Sequence, residues 1–316
     1  MTPTATLTPV TSKVSTRFGF SVATDQAGDT VAVGAPCDFT AGVTLCGTVY
    51  VYQKPSGGWA NNNENAQLTI SGVATVGLSV AMDSAGQTIV AGEPGVNALN
   101  NTPGSAYVFV KPGCPSACGN WVTTSSASAT LTPSTASNPI NGDSFGYSVS
   151  ISGDGTTVVA GTPNHGQCSP RPCTGPGAVY VFVNPSAPVG WTTGNETSIL
   201  NASNGHDGDQ FGDATSVDLH GMTIVVGAPL NPYSVTGSFP GAAYVFESGT
   251  QAQLLNAFSG TDIFGNSVVP QAHFSGGGPW SDGAGVAISS DGSTLTIGGL
   301  ATIGTTADQQ EIYVFQ

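Results

Sequence analysis

The sequence predicts an all-β fold, a five-bladed β-propeller of four-stranded antiparallel blades, and three observations predict it. The first is a repeat: the stretch FGYSVSISGDGTTVVAGTP at Phe145 recurs without a gap at Phe18 (FGFSVATDQAGDTVAVGAP), Val76 (VGLSVAMDSAGQTIVAGEP), Phe211 (FGDATSVDLHGMTIVVGAP) and Asp282 (DGAGVAISSDGSTLTIGGL). Fixed-period repetition settles a fold before local propensity does. The second is regularity inside the unit: a turn glycine (Gly28, Gly86, Gly155, Gly221, Gly292), a threonine two residues later (Thr30, Thr88, Thr157, Thr223, Thr294), then another glycine (Gly34, Gly92, Gly161, Gly227, Gly298). The third is that each unit runs on into an aromatic stretch: VYVY from Val49, AYVF from Ala106, VYVF from Val179, AYVF from Ala243 and IYVF from Ile312.

The elements follow in order. In the unit at Phe145, Val149 and Ile151 alternate with Ser148, Ser150 and Ser152, the period of a first strand. Asp154-Gly155 supplies the positive φ of a hairpin. Thr157 to Ala160 is a nearly continuous β-branched run, as in a strand covered on both faces. Pro163 ends it, because proline cannot donate to the ladder. The aromatic stretch is the third strand. A fourth lies between units at Gln67 to Ile70, Ala129 to Thr132, Ser198 to Asn201 and Gln253 to Asn256. Such a sheet cannot bury both faces alone, so the units must pack in a ring. The last unit stops after Ile312 to Phe315, and Ala5 to Pro9 reads as its missing fourth strand. The expectation is one domain over residues 1–316, with residues 4–9 completing the last blade and closing the ring.

Phe-Gly at the start of the unit, Gly-Ala-Pro in its middle and Gly-x-x-Tyr-Val-Phe after it resemble the FG-GAP repeats of integrin alpha-subunit heads. They resemble still more closely the short FG-GAP repeats of exported bacterial proteins, and the resemblance spans Thr4 to Gln316. It implies the propeller fold. For function it implies less, since the motif residues shape the blade rather than perform chemistry. Integrin heads carry more blades than the five counted here, so their ligand-binding geometry is not implied.

Composition narrows the function classes. Only 8% of residues are charged, against a usual share of about 25%. Five Lys and Arg stand against 19 Asp and Glu, a net charge of −14, which disfavours nucleic acid and anionic membrane surfaces as partners. No stretch approaches the roughly 18 apolar residues of a membrane-spanning helix. The six cysteines fall into three close pairs in inter-strand loops: Cys37 with Cys46, Cys114 with Cys118, Cys168 with Cys173. They read as local disulfides and so as an extracellular or cell-surface location. A zinc reading fails because no matched His or second Cys pair accompanies them.

Candidate site residues come from where the units differ. Trp59, Trp121 and Trp191 recur before fourth strands and read as packing residues, whereas Trp280 has no counterpart. It lies with Phe274 and Gly276-Gly277-Gly278 in Asn266 to Ser281, the least repeat-like segment. Insertions in a repeat scaffold collect on one face, often the binding face. Exposed aromatics suit sugar stacking or protein contacts, so Trp280 and Phe274 are candidate ligand contacts; Trp280 has the alternative role of a plug at the end of the ring. Glu93, the carboxylate that replaces the middle residue of Gly-Ala-Pro, joins them.

Calcium takes about six to eight oxygen ligands, and the hairpins supply one or two carboxylates each. Asp143, Asp209 and Asp262, each two residues before a Phe, and the adjacent Asp207 are either metal ligands or Asx-turns that orient the loop. No cofactor is expected. A ring could hold the paired carboxylates of a glycosidase, but the first strands are mostly Ser, Ala, Val and Gly, and neither G-x-S-x-G nor H-E-x-x-H occurs. The reading is therefore a secreted or cell-surface binding or adhesion module with a glycan or protein ligand. A self-associating structural or filament subunit and a polysaccharide-active enzyme are the alternatives. Non-reducing peptide mapping of secreted protein should find the links Cys37–Cys46, Cys114–Cys118 and Cys168–Cys173; free thiols throughout would overturn the compartment.

Overall fold

The computed structural model describes residues 3–10, 17–36, 47–73, 75–95, 102–134, 142–165, 175–188, 190–202, 205–229, 242–247, 285–302 and 308–315. Among them there are strands and turns and no helix, hence none long and apolar enough to span a membrane. After β1 (Leu7–Thr8), the first repeat forms β2 (Ser21–Thr24), β3 (Thr30–Ala35), β4 (Thr48–Gln53), β5 (Asn62–Asn63) and β6 (Ala66–Leu68). The second forms β7 (Ser79–Met82), β8 (Thr88–Glu93), β9 (Ser105–Val110) and β10 (Ala129–Leu131). The third forms β11 (Val149–Ile151), β12 (Thr157–Thr162), β13 (Ala178–Val183) and β14 (Ser198–Leu200). Then come β15 (Ala214–Val217), β16 (Thr223–Ala228) and β17 (Ala242–Glu247), and last β18 (Val286–Ile288), β19 (Leu295–Thr302) and β20 (Asp308–Phe315).

Each repeat is one antiparallel sheet in sequence order. The first three have four strands, β2-β3-β4-β6, β7-β8-β9-β10 and β11-β12-β13-β14. The last two have three among the described residues, and the expected strand at Gln253 to Asn256 lies outside these. The first strands stand side by side in succession, β2 against β7, β7 against β11, β11 against β15 and β15 against β18.

The core lies between successive sheets, which is why the second strands are apolar on both faces. Val49 and Val51 of the first sheet pack with Ile89, Tyr107 and Phe109 of the second. Val90 and Val108 pack with Val158, Tyr180 and Phe182, and Val159 and Val181 with Ile224, Tyr244 and Phe246. The motif phenylalanine fills its own sheet: Phe145 is fully buried and meets Tyr180 and Phe182 edge-on at 5.4 and 6.0 Å. Phe211 does the same with Tyr244 and Phe246 at 5.2 and 6.0 Å.

Two sets of polar contacts tie one sheet to the next. On the Phe-Gly side, the Ser148 hydroxyl donates to the Gly212 carbonyl at 2.8 Å, as Ser21 does to Gly77 and Ser79 to Gly146, both at 2.9 Å. Gly161 sits under that same carbonyl, where a Cβ would lie 1.9 Å from the Gly212 oxygen. At the hairpin end, Gln26 N–H donates to Ser84 O, Ser84 N–H to Gly153 O, Asp154 N–H to Leu219 O and Leu219 N–H to Ser290 O. Trp59 and Trp121 fold over the same end and donate from Nε1 to the turn carbonyls of Gly28 and Gly86, at 2.9 and 3.2 Å.

The N-terminal segment has a partner that periodicity did not name. Leu7–Thr8 pairs in parallel with Asn62–Asn63 of the first repeat, and the outer edge of β20 has no neighbouring strand among the described residues. The first repeat offers this segment ready partners: Asn61 Oδ1 accepts from Thr6 N–H and Glu64 Oε2 from Val10 N–H, both at 2.7 Å. The fourth strands β6 and β10 bridge in parallel to the next repeat in the same way, Leu68 to Thr124 and Leu131 to Gly194. The side-chain partners match too, since Thr123 and Thr193 accept from Gln67 and Thr130 N–H, and Glu196 from Ser134 N–H. Residues 6–10 thus occupy, relative to the first sheet, the place a preceding fourth strand occupies.

Of the expected disulfides, Cys114–Cys118 is formed with an S–S distance of 2.07 Å; Cys37, Cys46, Cys168 and Cys173 lie outside the described residues. The Gly161 contact supplies a test of the packing. Its backbone φ is outside the left-handed region, so Gly161→Ala acts through the clash alone and should lower stability by about 2–3 kcal/mol in chemical denaturation. An unchanged midpoint would show that successive sheets are not packed this closely.

Candidate functional site

The side where loops leave the second strand and enter the Phe-Gly start holds the candidates. There the motif glycine closes each repeat on itself: Gly146 N–H donates to Gly161 O and Gly212 N–H to Gly227 O, both at 3.0 Å. Gly146 needs its positive φ of 82° to make this turn. The next residue is thrown outward. Phe20 and Tyr147 are 50% and 40% exposed in this position, Leu78 is half-buried, and Asp213 takes it in the fourth repeat. The guanidinium of Arg17 lies 5.8 Å from the centre of the Phe20 ring.

Glu93 ends β8 and is 4% exposed. Its Oε1 accepts from the Thr75 hydroxyl at 2.6 Å and from Gly95 N–H at 3.2 Å, and its Oε2 has no hydrogen bond among the described residues. Burial pushes its carboxyl above the usual range, more strongly than these two donors pull it down. The residue lines a cleft of ≈ 260 Å³ with Val73, Pro103, Ser105, Tyr107 and Thr132. The Tyr107 phenol is raised as well, first by burial and further by the charge of Glu93.

The remaining carboxylates serve the backbone. Asp143 is buried with its Oδ2 2.9 Å from His165 Nδ1, which joins the loop before Phe145 to the loop after Pro163. Asp209 Oδ2 accepts from His206 N–H, three residues before it, at 2.7 Å, while Asp207 is exposed. In the hairpins, Asp25 Oδ1 accepts from Asp29 and Thr30 N–H, Asp83 from Gln87, and Asp218 from Met222 and Thr223. Where serine replaces that aspartate, at Ser152 and Ser289, its hydroxyl accepts from the threonine N–H and donates to an aspartate two residues on, Asp154 or Asp291. Among the described residues no three His, Cys, Asp or Glu side chains converge as metal ligands would.

Trp280, Phe274 and Asp262 lie outside the described residues. Sequence reasoning missed the exposed Phe20 and Tyr147. The signal was present: the residue after each Phe-Gly is Phe, Leu or Tyr in three consecutive units, beside positions otherwise small or polar. It also missed the Asp143–His165 pair, which joins the two loops and has no counterpart in other units among the described residues.

Glu93 gives a pH test with a definite sign. Its raised carboxyl is disfavoured as an anion in the folded protein, so ionisation costs stability as pH rises through the folded value. Glu93→Gln should therefore match or exceed the wild-type melting temperature at pH 7. The difference should vanish once pH falls below the ordinary glutamate value of about 4.3. A variant that melts lower at pH 7 would make Glu93 a structural anchor.

No curated protein matches the sequence. A solved hydrazine synthase of Kuenenia stuttgartiensis is 13% identical with a TM-score of 0.49, and the match covers 96% of this chain and 64% of that one. The family described as FG-GAP repeat matches residues 129–182 and 195–246, the third and fourth sheets with their flanking strands. With its repeats recognised there and built here into antiparallel sheets, the chain carries FG-GAP repeats over residues 129–182 and 195–246.

Proposed function

We propose that the chain is a five-bladed propeller, closed by its N-terminal strand, that works as a secreted or cell-surface binding module. The observation that carries the function is the exposure of Phe20 and Tyr147 at one repeat position, with Leu78 between them in sequence at the same position. Both rings present surface to solvent at the same position of their repeats. Exposed apolar groups set on a rigid frame mark an interaction surface rather than a core. Aromatic rings bury large area at little entropic cost, which suits either a glycan or a protein. The place that residues 6–10 take beside the first sheet supports closure, because among the described residues β20 has no fourth strand beside it, which such a segment would supply. The Cys114–Cys118 bond supports export.

The test is binding to a glycan array and a panel of extracellular proteins, with Phe20→Ala/Tyr147→Ala as the control. The double variant should keep its melting temperature to within about 0.5 kcal/mol of stability, as surface substitutions do, and should weaken ligand binding by about tenfold or more. A double variant that binds as wild type would remove the aromatic face from the reading. Regular self-assembly with no ligand would replace it with a structural subunit, and cleavage of an array glycan with an enzyme.

A further inference from the structure

Glu93 keeps the register of the repeat and breaks its chemistry. Its counterparts are Ala35, Thr162 and Ala228, so the turn itself does not require a carboxylate. A buried carboxylate with one oxygen lacking a donor costs the fold stability. Among the described residues no Lys, Arg or His lines the cleft to offset that cost. A buried acid that lines a cleft, where its counterparts are Ala or Thr, is the mark of a binding group.

The walls define what could enter. Val73, Pro103 and Pro133 form apolar surface, and Thr102, Ser105 and Tyr107 bring hydroxyl groups that can accept hydrogen bonds. The volume of ≈ 260 Å³ falls below the roughly 300–1,000 Å³ of drug-sized pockets, so the cleft suits one side-chain-sized group rather than an oligosaccharide. Calcium would need about six to eight oxygens, against a single carboxylate beside valine and proline. The net charge of −14 draws cations toward the surface as a whole.

We propose that the Glu93 cleft binds an organic cation, an ammonium or guanidinium group on a short apolar stem, with Glu93 Oε2 as its counter-ion. The charged head donates to Oε2 and to the hydroxyls, and the stem lies along the valine and proline wall, as the stems of Lys and Arg do. The head can belong to a free amine or to a polypeptide side chain. The proposal stands apart from the Phe20–Tyr147 reading, and either can fail alone.

The experiment titrates the intact chain with n-butylguanidinium, n-butylammonium, a capped tripeptide with a central arginine, and calcium, following binding by NMR and calorimetry. Wild type should bind the organic cations saturably. Glu93→Gln and Glu93→Ala should fold and weaken that binding by about tenfold or more, the scale of a lost charged hydrogen bond. Phe20→Ala/Tyr147→Ala should bind them unchanged. Tighter binding of the tripeptide would support a polypeptide side chain as the source of the head, and tighter binding of the free cations a small amine. Absence of saturable binding, binding indifferent to Glu93→Gln, or calcium binding through Glu93 in preference to the organic cations would each overturn the proposal.

Discussion

The architecture depends on one close contact, the glycine of Gly-x-Pro in one repeat under the Phe-Gly carbonyl of the next. A Cβ at Gly34, Gly92 or Gly161 would lie 2.1, 2.0 or 1.9 Å from the carbonyl oxygen of Gly77, Gly146 or Gly212. No side chain can be accommodated at that distance, so successive sheets can approach this closely only over glycine. The approach brings the serine of the first strand within reach of the same carbonyl. It also sets the depth at which Phe145 and Phe211 meet the tyrosine and phenylalanine of their third strands. Phe-Gly and Gly-Ala-Pro are therefore two halves of one joint, divided between neighbouring repeats.

The hairpin end is built on the same principle. The invariant threonine stands against the turn glycine of the following repeat: a Cβ at Gly221 would lie 2.3 Å from Thr157 Oγ1, and one at Gly86 would lie 3.2 Å from Thr30 Oγ1. The spacing of turn glycine and threonine looks like a local rule in the sequence. In the structure it is also an agreement between repeats, made at Gly86, Gly155, Gly221 and Gly292 with the threonine of the preceding unit.

This explains what was legible. Strands, hairpins and the packing tryptophans follow from periodicity and turn chemistry, because every unit repeats the contacts that fix them. The partner of the N-terminal strand was harder. Its pattern, Leu7-Thr8-Pro9, matches Leu131-Thr132-Pro133 and identifies it as a fourth strand. A fourth strand, however, has two neighbours, its own third strand and the following repeat. Periodicity names the first, and the structure displays the second, Asn62–Asn63. The exposed face was hidden for another reason. Phe20 and Tyr147 look like core residues in composition, and only the turn made by the preceding glycine sends them outward.

The carboxylates complete the argument. In a chain with so few charged residues, each acid is a candidate for chemistry until its oxygens are accounted for. Asp25, Asp83 and Asp218 spend an oxygen on hairpin N–H groups. Asp154 and Asp291 take over part of that task where serine stands in the aspartate position, and Asp291, held by the Ser289 hydroxyl and then by Ser293, is pulled down to about 2. Hydrogen bonds of this kind favour the anion and stabilise the fold that supplies them. Glu93 runs the other way: burial raises its carboxyl, and its Oε2 has no hydrogen bond among the described residues. The same scaffold thus separates acids whose charge the turns stabilise from an acid whose charge burial disfavours.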